Sequence, residues 1–183
     1  MSGKVGDNTA RASGVIAGVA GGLSVGDQWR ITADKTMTGG GDDFTANWEQ
    51  VDTTGQGYIA GAVMTESSGI FTFPETGIYT VSMQGCLYTG VDATGSIRLG
   101  LKIQGTTNDS SYVIWAQGDD WNPSNQFNFM TNTVSTMVDV TDTSQVKVKF
   151  TCVNGGSNNP SRVWEGDSAE NRTYATFVKL GGT

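Results

Sequence analysis

From Gln28 onward the chain alternates apolar and polar residues with a period of two, broken about every 8–12 residues by Gly, Asn, Asp or Pro. Successive side chains of a strand point to opposite faces, so this pattern demands sheets with one buried and one wet face. Ile97, Leu99, Leu101 and Ile103 share one phase, and Arg98, Gly100 and Lys102 share the other. Similar stretches are Trp29–Thr36, Tyr58–Met64, Gly77–Tyr88, Tyr112–Gln117, Gln126–Val138, Gln145–Val153 and Thr173–Leu180. Apart from a weak stripe near the start, no segment shows a capped apolar period of 3.6. The expected fold is all-β, a sandwich or barrel; about ten antiparallel strands must protect their edges, and a two-sheet jelly-roll sandwich is one of the few economical ways to do so.

Residues 1–27 break the pattern. They hold seven Gly and no aromatic residue, too little apolar surface to offset the entropy of ordering. They are read as an N-terminal arm, and residues 28–183 as one domain, a size that a single core can fill. Within the arm, Val15, Ile16 and Val19 form a short apolar stripe behind Arg11, suited to anchoring on a larger body.

Charge and residue usage exclude much chemistry. The chain carries 18 acidic and 11 basic residues, a net charge of −7, and its cations are scattered. Nucleic acid is not an expected partner, because phosphate binding needs clustered cations. His is absent, which removes His-based triads, imidazole bases and His-containing zinc sites. Cys86 and Cys152 lie far apart on opposite phases, so two reduced thiols are expected rather than a disulfide. No apolar run is long enough for a signal peptide or a membrane span, and neither an enzymatic activity nor a cofactor is expected.

Paired carboxylates occur at Asp42-Asp43 and at Asp119-Asp120, both in Gly-flanked segments that read as loops. Oxygen ligands of this kind suit Ca2+, and Asp119 and Asp120 are the candidate ligands, although neither loop has the spacing of a dedicated calcium loop. Trp121 and Trp164 are candidates for stacking on the sugar rings of a host-surface glycan, whereas Trp115 sits in a β-like run and is expected in the core.

The stretch SGIFTFPETGIYTV at residues 68–81 resembles the central signature of the C1q and tumour necrosis factor jelly-roll superfamily. In it an aromatic strand leads through a turn to Gly-x-Tyr, here Phe71, Gly77 and Tyr79. Phe71 and Phe73 would pack inward, Pro74 would fix a turn, and Tyr79 with Val81 would fill the core of the next strand. WRITADKTM at 29–37, Trp48-Glu-Gln-Val51 and TYATFVKL at 173–180 resemble the first strand, the short motif after it and the closing strand. The leader VGDNTARASGVI is similar to the starts of structural proteins of marine tailed bacteriophages.

Members of that superfamily are compact trimers whose inner sheet faces the threefold axis, so the resemblance implies a homotrimer. Met83, Tyr88, Phe127, Phe129, Met130, Met137 and Tyr174 are also more large apolar groups than one sandwich of this length needs. Tyr79, Met83, Phe127, Phe129 and Met137 are the expected interface residues. The resulting expectation is a virion protein assembled in the host cytoplasm: a trimeric capsid decoration whose arm binds the major capsid protein or another virion component. The alternatives are a trimeric head- or tail-fibre knob that binds host-surface glycan, and a secreted C1q-like ligand.

Overall fold

The computed structural model describes residues 23–36, 41–57, 60–89, 97–122, 128–154 and 162–183. Their strands are β1 (Val25–Ile31), β2 (Lys35–Thr36), β3 (Asp42–Asp43), β4 (Trp48–Gln50), β5 (Ala60–Gly61), β6 (Thr65–Ser67) and β7 (Ile70–Thr72). The chain continues through β8 (Gly77–Thr89), β9 (Ile97–Thr106), β10 (Val113–Asn122), β11 (Asn128–Val140), β12 (Lys147–Asn154), β13 (Arg162–Trp164) and β14 (Tyr174–Gly181). There is no helix among the described residues, hence none long and apolar enough to cross a membrane.

The strands form two antiparallel sheets in a TNF-like jelly roll. The eight-stranded sheet runs β2–β13–β8–β14–β1–β4, with β11 along the other side of β8 and β5 against β1. The six-stranded sheet runs β10–β9–β12–β7–β6, with β3 against β12. The longest ladder joins β8 and β11 residue for residue, from Gly77 opposite Val140 to Thr89 opposite Asn128.

The period-two alternation builds the core between the sheets. Tyr79, Val81, Met83 and Leu87 on β8 and Phe177 on β14 meet Leu99, Leu101 and Ile103 on β9 and Val148 and Phe150 on β12. Phe71 sits at the centre, its ring 5.1 Å from Trp48, 5.1 Å from Phe177, 5.5 Å from Phe150 and 5.6 Å from Trp29. Four aromatic neighbours from both sheets make it a keystone, and truncating such a buried ring to Ala typically costs about 3–5 kcal/mol. Phe73 is buried beside it, and Gly77 follows at φ 145°, a backbone region that favours glycine. Trp115 is partly buried against the core, and both cysteines are free.

Within the first 64 residues the strand limits differ from the sequence reading in three places. β1 begins at Val25, inside the segment read as arm, because buried Asp27 is satisfied there rather than solvated. Its carboxylate accepts from Trp29 Nε1 (2.9 Å), Gln50 Nε2 (2.8 Å) and the Met64 backbone N–H (2.8 Å). The expected strand Trp29–Thr36 stops at Ile31 and resumes only as β2. Of Tyr58–Met64, only Ala60–Gly61 is strand among the described residues.

Candidate functional site

The outer face of the larger sheet is the surface that the sequence reading points to. On β8 the odd-numbered residues from Gly77 to Thr89 are buried and the even-numbered ones, from Ile78 to Tyr88, are half-buried on this face. Register then assigns their neighbours. Tyr88 lies opposite Phe129, Cys86 opposite Thr131, Gln84 opposite Thr133, Ser82 opposite Ser135, Thr80 opposite Met137 and Ile78 opposite Asp139. β14 adds Tyr174, Thr176 and Val178 opposite Gln84, Ser82 and Thr80, and β1 adds Gln28 opposite Thr176.

The face has apolar ends and a small, polar middle. At one end the Tyr88 and Phe129 rings lie 5.2 Å apart, and Phe129 is 66% exposed. At the other end Met137, also 66% exposed, lies opposite Thr80, with Ile78 diagonal to it and Val178 on the far side of Thr80. Between them Thr131, Thr133, Ser135, Ser82, Gln84 and Thr176 keep the surface flat, and Gln28 Nε2 donates to Thr176 Oγ1 at 3.1 Å. Asp139 is the one charged side chain on the outward rows of β8, β11 and β14 among the described residues, and β1 adds Arg30, opposite Tyr174, which is buried and paired with Glu49. A nearly uncharged face with exposed aromatic and Met side chains can be buried against another subunit without stranding a charge.

Cys86 does not add reactivity to this face. Burial pushes its thiol up to about 11, and the carboxylate of Glu165, to which Sγ donates at 3.2 Å, pushes the same way. A thiol held in its protonated form is a poor nucleophile. Arg172 in turn holds Glu165 at 3.0 Å.

Several expected site residues lie elsewhere. Tyr79 and Met83 are not on the interface face: both are fully buried between the sheets, because they share the inward phase of β8. The Tyr79 ring lies 4.7 Å from Phe73 and its hydroxyl donates to the Glu75 carbonyl at 2.8 Å. Trp164 is no glycan contact. It is 1% exposed on β13, 6.2 Å from the Phe44 ring, and fits over Gly85, where a Cβ would come within 2.5 Å of it. Phe127 and the arm residues Arg11, Val15, Ile16 and Val19 lie outside the described residues.

The acidic pairs are strands rather than loops. Asp119 and Asp120 are successive residues of β10, opposite Gly100 and Leu99, so they leave the strand on opposite sides and do not converge on a cation. Asp119 instead holds Arg98 at 2.7 Å, and Asp120 accepts from the Trp121 backbone N–H at 2.7 Å. Asp42 and Asp43 form β3, where Asp43 accepts from Lys149 Nζ and from Thr151 Oγ1, each at 2.6 Å. No group of three or more Cys, Asp or Glu able to hold a metal occurs among the described residues. Trp121 remains on the surface, 58% exposed.

Ile78, Thr80 and Val178 belong to the outward face and were not singled out from the sequence. Their signal was available: each is out of phase with the core residues beside it in a long alternating strand.

No family model matches the chain, and no curated protein matches it. Solved structures do. Murine APRIL at pH 5.0 is 14% identical, with a TM-score of 0.57, over 85% of this chain and 98% of that one. The Eiger TNF of S. frugiperda is 12% identical, with a TM-score of 0.54, over 88% and 96%. The PRD1 vertex protein P5 is 16% identical, with a TM-score of 0.50, over 88% of this chain and all of that one. At these identities the likeness is one of fold.

Proposed function

We propose that this chain is a structural virion protein that trimerises through the outer face of its β11–β8–β14–β1 sheet and decorates a capsid through its N-terminal arm. The observation that carries the reading is the nearly uncharged face on which Phe129 and Met137 stand two-thirds exposed. Closing three copies around an axis buries these side chains, and a stable contact of this kind removes about 1,000 Å² or more per subunit pair. A TNF-like fold in a protein named as a vertex protein, PRD1 P5, supports the setting. The role needs no catalytic step, metal or cofactor. A glycan-binding fibre knob is the second reading, favoured by the exposed indole of Trp121.

Sedimentation equilibrium of the full chain at micromolar concentration tests assembly. A species of three times 19.3 kDa is expected. The double variant Phe129→Asp, Met137→Asp should sediment as a monomer with an unchanged β-sheet circular dichroism spectrum, since buried unpaired charge costs several kcal/mol or more. A monomeric parent chain, or a trimer indifferent to both substitutions, would overturn the reading.

A further inference from the structure

The outer face of the smaller sheet carries a group of side chains that neither the core nor the proposed trimer contact uses. Trp121 stands on β10 directly opposite Arg98 on β9, and Asp119 stands opposite Gly100. Opposed residues of a ladder share a face, so Trp121, Asp119 and Gln117 lie beside Arg98, Gly100 and Lys102. Gly100 opens a gap in the middle of this row. A Cβ there would collide with Asp119 Oδ1, so the carboxylate lies across the strand where another residue would carry a side chain.

The polar groups are fixed before any ligand arrives. Asp119 Oδ2 accepts from Arg98 Nη2 at 2.7 Å and from Gln117 Nε2 at 2.6 Å. Both bonds fall on one oxygen, which leaves Oδ1, over Gly100, as an acceptor with no hydrogen-bond partner among the described residues. Burial alone would push the pKa of this carboxyl up, but the hydrogen bonds from Arg98 and Gln117 and the charges of Arg98 and Lys102 outweigh it and bring it below the ordinary carboxylate value. The arrangement therefore offers an exposed aromatic plane, a fixed carboxylate acceptor and the cationic donors Arg98 and Lys102 on one open surface.

We propose that this surface is a carbohydrate site that takes a neutral pyranose. The apolar C–H face of the ring stacks on Trp121, and one hydroxyl donates to Asp119 Oδ1 while a neighbouring one accepts from Arg98 or Lys102. Indole stacking suits the flat C–H face of a sugar, and vicinal hydroxyls match an acceptor and a donor set side by side. An ordered Arg98–Asp119–Gln117 group lowers the cost of fixing side chains on binding. The site deepens the fibre-knob reading but is independent of trimer formation, because it lies on the other sheet.

Saturation-transfer difference NMR on the full chain tests the site, with the methyl pyranosides of glucose, galactose and mannose as probes and acyclic sorbitol as control. Transfer to the ring protons of at least one pyranoside is expected, saturating in the millimolar range, with none to sorbitol. Trp121→Ala should abolish it and Asp119→Asn should weaken it at least tenfold, while circular dichroism and sedimentation stay unchanged. No transfer to any of the three sugars, equal transfer to sorbitol, or undiminished transfer in Trp121→Ala would overturn the site. A parent chain that is monomeric yet binds sugar would overturn only the trimer.

Discussion

One position along a strand decides what a side chain does in this molecule. Tyr79 and Ile78 are neighbours on β8, yet the first is fully buried against Phe73 and the second is half-buried on the outward face. The same charge introduced at the two kinds of position therefore has different consequences. Tyr79→Asp, which places a carboxylate in the core, should leave little soluble folded chain, whereas Phe129→Asp should dissociate subunits that remain folded. The milder Tyr79→Phe isolates the hydroxyl, whose 2.8 Å bond to the Glu75 carbonyl is the interaction at stake. Urea unfolding should show a loss of about 1 kcal/mol, with the sedimentation coefficient unmoved. A changed oligomeric state in Tyr79→Phe would show that this residue reaches the interface after all.

Short strands depend on their neighbours in a way that long ones do not. β3 has two residues, joined to β12 by ladder pairing and by the bonds of Asp43 to Lys149 and Thr151. Burial is the largest influence on the Asp43 carboxyl and raises it, but the two hydrogen bonds with the charges of Lys149 and Lys35 together bring it below its ordinary value. A carboxyl depressed in the folded state stabilises above its unfolded value, near pH 4, and that stabilisation is lost as pH falls through the folded value. The melting temperature should be level from about pH 7 to 5 and fall below about pH 4, and Asp43→Asn should make the fall shallower. An acid limb of the same depth in Asp43→Asn would remove β3 from the acid response. These elements also mark where the sequence was readable. β8, β9 and β11 run for ten residues or more, long enough for their period to show. β3 and β13 are too short to show a period and are fixed by distant partners, such as the Phe44 N–H on the Phe150 carbonyl and the Glu165 N–H on that of Cys86. The surplus of large apolar residues is legible from composition, and the phase of β8 puts Tyr79 and Met83 with Val81 in the core; size alone does not separate them from the interface residues on the other phase. Gly118-Asp-Asp reads as a turn, yet it continues β10, with Gly118 packed closely under Asn132.

At the scale of the whole molecule, the proposed assembly and the proposed attachment would support each other. Three arms carried by one trimer bind as a unit, so once one is docked the others search at an effective concentration set by their tether. On the proposed function, individually weak contacts through Val15, Ile16, Val19 and Arg11 would add up to stable attachment, with an avidity gain on the order of 10²–10⁴. Because β1 begins at Val25 and buries Val25 and Asp27, the arm can be removed only up to residue 22 without cutting into the sheet. Deleting residues 1–22 should leave a folded trimer that no longer co-sediments with capsids. The converse variant, Phe129→Asp with Met137→Asp, keeps the arm but presents it singly, and its bound fraction should fall about a hundredfold or more at equal chain concentration. Co-sedimentation of both variants with purified particles separates the two contributions. If the arm deletion binds as well as the parent chain, the capsid contact lies on the jelly roll itself; if the monomer binds as well as the trimer, avidity plays no part in attachment.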